Sequence, residues 1–244
     1  MEPDQELEPE LIARYQPVFE LDDQGNPVGR AVQSSSAPQP PIPKLIGQYT
    51  RLEKLNAQSH AAELFAAYQG HDELWTYMPQ GPFHHDDEFR TWVTSVENSS
   101  DPYFYAIIDQ QTNEALGVAS FLRIDPNAHT IEVGWITYSP QLKHSRIATE
   151  AMFLMMQFAF DNGYRRYEWK CNVLNKASRQ AALRLGMTYE GTFRQAVIVK
   201  GRNRDTAWYS ILDSEWPAMK ANFEDWLHES NFDSSGRQLK PLKR

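Results

Sequence analysis

The chain has 244 residues, 41% of them hydrophobic, and a formal net charge of −8. That is enough apolar material for one substantial core plus appendages, and the acidic balance argues against general nucleic-acid binding. No apolar run nears the roughly 20 residues of a membrane helix. A single cysteine, Cys171, excludes an intrachain disulfide and fits a reducing, cytoplasmic setting.

In chain order, residues 1–44 form an acidic arm and linker. The opening MEPDQELEPE has neither the basic nor the apolar region of a secretory leader. Residues 1–30 carry eight acids and two bases, which reads as a solubilising tail or as bait for a cationic partner. Val18–Leu21 and Pro27–Gly29, joined by an Asp-Gln-Gly-Asn turn, predict a small hairpin that packs on the domain. The stretch SSSAPQPPIP reads as an extended linker. Such an arm could exchange between protomers of a homodimer.

The main domain is expected over 45–228. Its first strand falls at Tyr49–Leu52. Ala61, Leu64, Phe65 and Tyr68 mark a helix at i, i+3, i+4 and i+7. An aromatic, turn-rich loop follows with Trp75, Tyr77 and Phe83, and then a helix marked by Phe89, Trp92, Val93 and Val96. Strands are predicted at Tyr103–Asp109 and Ala115–Ile124, with Gly117 marking a bulge. The central strand has Ile131, Val133 and Trp135 alternating with Glu132 and Gly134, and Pro140 ends it. Ile147, Ala151, Leu154, Met155 and Phe158 trace one face of a long helix that Gly163 closes.

Between strand and helix lie Lys143, His144, Ser145 and Arg146. A helix start offers unpaired N–H groups and a partial positive charge, so two cations beside it suggest a phosphate-bearing ligand. A solvated basic turn is the plainer reading of the same residues. Then come a strand at Tyr167–Cys171, a helix over Asn175–Leu185, and strands at Thr188–Val199 and Thr206–Leu212, with Lys200–Asn203 as a hairpin loop. Trp216, Met219, Phe223 and Leu227 give a C-terminal helix, with Pro217 in its first turn. Residues 229–244 read as a flexible basic tail.

Tyr138-Ser139-Pro140 through Arg146-Ile147-Ala148-Thr149-Glu150-Ala151 resembles the acetyl-CoA pyrophosphate loop of GNAT N-acetyltransferases, in their RimL-like (ribosomal-protein-acetyltransferase-like) branch. That loop usually reads Gln/Arg-x-x-Gly-x-Gly/Ala. Here Arg146 stands at the central glycine, giving up backbone latitude but offering a guanidinium fork to phosphate. Asn175-Lys176-Ala177-Ser178, Glu190-Gly191-Thr192-Phe193-Arg194 and Arg204-Asp205 continue the likeness in order, over roughly Tyr49–Trp216.

The resemblance implies an α/β fold with a mixed, twisted sheet of about seven strands flanked by helices, an N-terminal arm and a C-terminal helix. It implies acetyl transfer from acetyl-CoA to an amine by direct attack. The diphosphate would lie at Lys143, His144, Ser145, Arg146, Ile147, Ala148 and Thr149. The pantetheine arm would pair with the edge of Ile136, Thr137 and Tyr138, with Asn175 capping its helix and reaching the same arm. Glu132 becomes the candidate base, with a solvated face or a salt bridge to Arg123 as the alternative. Glu168, Glu150 and Asp205 are its rivals, and Glu150 also suits a helix start. Ser178 becomes the donor to the leaving thiolate, or a helix serine bonded to backbone. Trp75, Tyr77, Phe83, Arg194 and Asp205 are candidate acceptor-side residues; an aromatic core and a structural Arg–Asp pair are the alternatives. No metal is expected, because adjacent His84 and His85 lack a carboxylate–histidine constellation. Cys171 reads as a packed thiol. A CoA-binding protein without catalysis and a pure interaction module are the competing classes.

Overall fold

The structure is a computed structural model that describes residues 18–32, 44–234 and 236–243. The acidic lead and the Ser/Pro linker fall outside the described residues. β1 (Phe19–Leu21) and β2 (Pro27–Gly29) form the expected hairpin. It does not pack on the domain: every residue of both strands is exposed, Phe19 at 56% and Leu21 at 65%.

The domain begins with β3 (Leu45–Ile46), β4 (Thr50–Lys54), α1 (Ala57–Tyr68), a short 3-10 turn (Asp72–Trp75) and α2 (Asp86–Val96). The meander β5 (Tyr103–Asp109), β6 (Ala115–Asp125) and β7 (Thr130–Tyr138) follows. Then come α3 (Arg146–Asp161), β8 (Arg166–Asn172), α4 (Lys176–Arg184), β9 (Thr188–Val199), β10 (Arg202–Leu212) and α5 (Trp216–Leu227). One eight-stranded sheet runs in the order β3-β4-β5-β6-β7-β8-β10-β9. All its pairs are antiparallel except β7–β8. The sheet exceeds the expected seven strands by the two-residue β3.

Caps fix the helix starts. Asn56 accepts the N–H groups of Gln58 and Ser59, Ser145 that of Ala148, and Asn175 that of Ser178. Gly163, at φ +82°, ends α3 in the left-handed conformation open to glycine. One face of the sheet buries Leu52, Tyr105, Ile131, Val133, Tyr167, Tyr209 and Ile211 against α3 and α5. The other packs Phe104, Ala106, Ile108 and Val118 on α1 and α2.

Glu150, one turn into α3, ties these layers together. Its buried carboxylate accepts the N–H groups of Gln48, Tyr49 and Thr50 at 2.8, 2.7 and 2.7 Å. It therefore anchors the turn between β3 and β4, a corrected role: it does not serve the start of its own helix. A Cβ on Gly47 would collide with that carboxylate. Burial pushes the carboxyl up from its usual range, against the pull of the three N–H groups.

Two further expectations change. Residues 229–243 are not a free tail. Asn231 is buried; its amide donates to the carbonyls of Trp226 and Lys240 and accepts from the Lys240 N–H. Phe232 packs on Tyr49 and Trp226, and Leu242 enters the core. The apolar anchors are spaced too irregularly to show a period. The hairpin loop is also tighter than expected: Val199 pairs with Arg202, leaving Lys200 and Gly201 at φ +48° and +71° as a two-residue turn.

Glu150→Ala would leave three N–H groups without their acceptor, that of Thr50 buried and those of Gln48 and Tyr49 nearer solvent, and denaturant unfolding is expected to lose roughly 2 kcal/mol or more. Glu150→Gln, which keeps one acceptor oxygen, should fall in between. A loss for Glu150→Ala below about 1 kcal/mol would show that the turn is held by other contacts.

Candidate active site

The site is built where two parallel strands part. β7 and β8 pair through Thr130–Arg166, Ile131–Tyr167, Glu132–Glu168 and Val133–Trp169, and no further. β7 nevertheless runs on to Tyr138 and β8 to Asn172. A bulge accompanies the parting: Ser120 pairs with Gly134 and Val118 with Thr137, so β7 spends one extra residue there. Trp135 sits in it at φ +53°. The bulge turns Trp135 away from the Ile131–Val133 face onto Phe104 on the α1–α2 side, 5.6 Å between ring centroids. Ile136 and Tyr138 take its place against the α3 core.

The same step sets the free edge. Thr137 pairs with β6 and its carbonyl accepts the Tyr68 hydroxyl at 3.1 Å, while the Ser139 N–H donates to Leu116. By alternation, the amide edges of Ile136 and Tyr138 face the gap left by β8. Buried backbone groups of this kind need a partner, and an extended ligand can supply it.

At the head of the gap α3 opens. Ser145 caps it, bonding the Ala148 N–H at 3.0 Å and the Leu142 carbonyl at 2.7 Å. The N–H groups of Arg146 and Ile147 have no acceptor among the described residues. The positive φ that the family's glycine would supply falls on His144, at +59°. Arg146 therefore needs no such latitude, because it is the first helical residue. Its guanidinium rests on two aromatic rings, 4.2 Å from the Tyr49 ring centroid and 5.4 Å from that of Phe232. Its backbone N–H lies at the helix opening. Lys143 and His144 are exposed, Ile147 is half-buried and Ala148 is buried. Thr149 is buried and accepts from Arg184 at 3.1 Å.

Arg184 was not singled out by the sequence. It ends α4, is half-buried, has no carboxylate within 4.0 Å among the described residues, and lies over Trp226. Burial pulls its pKa down, and the neighbouring Tyr138 works against that. A charged residue late in a helix reads as solvated until the packing of α4 against α3 is seen.

Glu132 stands one residue below the fork, on the face opposite α3. Its carboxylate is 7% exposed, 2.8 Å from Lys170 Nζ and 3.4 Å from Arg123 Nε. The expected Arg123 contact is present, and Lys170 is the nearer partner. Burial nonetheless raises the Glu132 carboxyl above its usual range, against the pull of Lys170. Glu168 is also buried, but hydrogen bonds from Lys170 and Arg166 outweigh that and hold it below the usual range. Lys170 lies 3.6 Å from the Trp208 ring centroid, which fixes its direction.

Ser178 is placed by β8 itself. Trp169, the last paired residue, donates its indole N–H to Ser178 Oγ at 3.0 Å, and the Ser178 hydroxyl in turn hydrogen-bonds the Cys171 sulfur. Asn175 caps α4 by accepting the Ser178 N–H at 3.1 Å. Cys171 lies beside Ser178; burial pushes its thiol up, as for a packed cysteine.

The acceptor-side candidates separate. Trp75 is 3% exposed and packs edge-on with Tyr68 and Phe83. Phe83 joins Phe89 and Trp92 in the same cluster. Trp75 is core, whereas Phe83 is half-buried and lines a surface pocket with Gln69, Asp72 and His84. Tyr77, half-buried, reaches the loop after β8, donating its hydroxyl to the Leu174 carbonyl at 3.1 Å. Lys200, at the hairpin tip, bonds the Trp75 carbonyl at 2.9 Å. Arg194 and Asp205 form no ion pair within 4.0 Å. Asp205 caps a bulge in β9, accepting from the Gln195 N–H and from Asn203. Among the described residues no cluster of histidine, cysteine and carboxylate groups could hold a metal, and no helix is long and apolar enough to cross a membrane.

The acetyltransferase (GNAT) domain model matches residues 50–188. The chain is 46% identical to a GCN5-related N-acetyltransferase from Brucella melitensis, with a TM-score of 0.84 over 86% of this chain and 96% of that one. A probable GNAT-family acetyltransferase from Chromobacterium violaceum follows at 38% identity and TM-score 0.74, over 83% and 100% of the two chains. The ribosomal-protein-serine acetyltransferase of Escherichia coli is 36% identical over 105 residues, 42% of this chain and 58% of that relative's length. With strand parting, capped helix and matched residues in agreement, the chain belongs to the GNAT acetyltransferase family.

Proposed function

We propose that this acetyltransferase moves the acetyl group of acetyl-CoA to a primary amine, that of a protein N-terminus or a small molecule, by direct attack. The observation that carries the reading is the parting of β7 from β8 beyond Val133–Trp169, with an amide edge along one side, an open helix start at its head and a raised carboxyl at its fork.

The residues fit coenzyme A. The N–H groups of Arg146 and Ile147, with Lys143 and Arg184 nearby, suit a diphosphate. Ile136 and Tyr138 offer a strand edge to the amides of a pantetheine arm. Acetyl-CoA supplies the thioester; the chain positions it and manages protons. Glu132, its pKa raised, takes a proton from the ammonium, directly or through water. The amine nitrogen then bonds the carbonyl carbon, the carbon–sulfur bond breaks, and the Ser178 hydroxyl donates toward the departing thiolate. Lys170 and Arg123 pull against that rise. Tyr77 and the Lys200 contact narrow the acceptor end of the gap.

Release of free thiol from acetyl-CoA with a suitable amine is the expected activity. Glu132→Gln should lower kcat by about 10²-fold or more, with CoA affinity by calorimetry unchanged. Full activity in that variant at neutral pH would remove Glu132 from the role. CoA binding without turnover across a broad amine panel would leave a CoA-binding protein that does not catalyse.

Activity should fall as pH drops through the raised pKa of Glu132, because only the carboxylate can accept the proton. Lys170→Met removes a cation that pulls this pKa down, so the acid limb of kcat/KM should move to higher pH. An unmoved limb would assign it to another group. Arg184→Met should weaken CoA binding by about tenfold, ~1.4 kcal/mol, with kcat at saturation preserved; unchanged affinity would make Arg184 a purely structural cation.

A further inference from the structure

The β9–β10 hairpin projects beyond the sheet. The β8 ladder ends opposite Thr206; beyond it the hairpin is held at its base by the Val173 N–H on the Asp205 carbonyl and at its tip by Lys200 on the Trp75 carbonyl, while β9 keeps its outer edge open among the described residues. Residues 193–198 are all exposed, including Phe193 at 57%, Val197 and, at 80%, Ile198. The outer edge of β9 pairs with nothing in the sheet, an open template for another strand. The projection is also basic: Arg194, Lys200, Arg202 and Arg204 stand against Asp205 alone, in a chain that is acidic overall.

Its complement lies at the other end of the sequence. The β1–β2 hairpin exposes Val18, Phe19, Leu21, Val28 and Val32. Residues 1–30, to which most of it belongs, hold eight acids and two bases. Two strands with open edges, apolar side chains and opposite charge suit β-addition.

We propose that the N-terminal hairpin of one molecule docks on the β9–β10 projection of a second copy, giving a symmetric dimer with two identical contacts. Within one chain the hairpin is undocked: every residue of both strands is exposed, and it leads into β3, at the edge of the sheet opposite β9. Two copies related by a two-fold axis bring each molecule's hairpin beside the other's projection, so that both contacts form at once.

Sedimentation velocity on the full chain, over a range of concentrations, tests this. A dimer is expected. Ile198→Asp in the full chain, and separately removal of residues 1–32, should each weaken dimerisation by about tenfold or more. An equimolar mixture of the two variants should recover heterodimer, since it retains one intact contact of two. Ile198 is exposed, so circular dichroism should show the substituted chain folded. A monomer at all concentrations, a dimer indifferent to both changes, or a mixture that does not associate would each overturn the proposal. So would a monomer whose N-terminal hairpin resists protease, because docking would then be internal.

Discussion

The fork between β7 and β8 is the constraint on which the site depends. Parallel strands pair efficiently only while their ladders stay in register, and here the ladder stops after four residue pairs. The cause is local to β7: the extra residue at Trp135–Ile136 redirects the strand just past Val133. That one insertion opens the gap, aims two amide edges into it and leaves Glu132 on the last pleat below it. Opening a sheet leaves polar backbone groups seeking partners, and in the proposed function an amide-rich linear ligand supplies them.

The surroundings hold the fork steady. Glu150 fastens α3 to the turn before β4 through three N–H groups. Trp169 fixes Ser178 at the top of the last pair, and Lys170, set by Trp208, fixes Glu132 below it. The polar chain Arg166–Glu168–Lys170–Glu132–Arg123 occupies the sheet face that α1 and α2 leave uncovered. A carboxylate in such a chain keeps a defined direction while burial holds its pKa up. This combination of fixed aim and raised proton affinity is what a base at an amine requires.

Much of this was legible in the sequence because periodic patterns report local structure. The strand, turn and helix from Ile131 to Gly163 were legible from alternation, one proline and one glycine, and Asn175 and Ser178 from their place in an ordered set of motifs. What escaped depends on contacts distant along the chain. Trp135 followed the strand period, yet a bulge moved it to the other face. Trp75 and Phe83 read as pocket or core alike; α2 buries Trp75 and leaves Phe83 on the rim of a surface pocket. Arg184 and Lys170 were not singled out, because their partners lie on other elements: Thr149 and Trp226 for Arg184, Glu132 and Trp208 for Lys170. Glu150 was assigned to its own helix because its partners lie about a hundred residues away. Residues 229–243 looked free because their anchors, Asn231, Phe232 and Leu242, have no period.

The seat of Arg146 carries one more implication. Its cation rests on a ring from the turn before β4 and a ring from the C-terminal segment, so the far end of the chain governs where that charge resides. A version of the protein shortened after α5 would release the guanidinium from Phe232 and let it sweep toward the anion-gripping end of the fork. Length at the carboxyl terminus thereby becomes a dial on the local electric field, through which related chains with different endings could differ in cosubstrate affinity while keeping an identical loop.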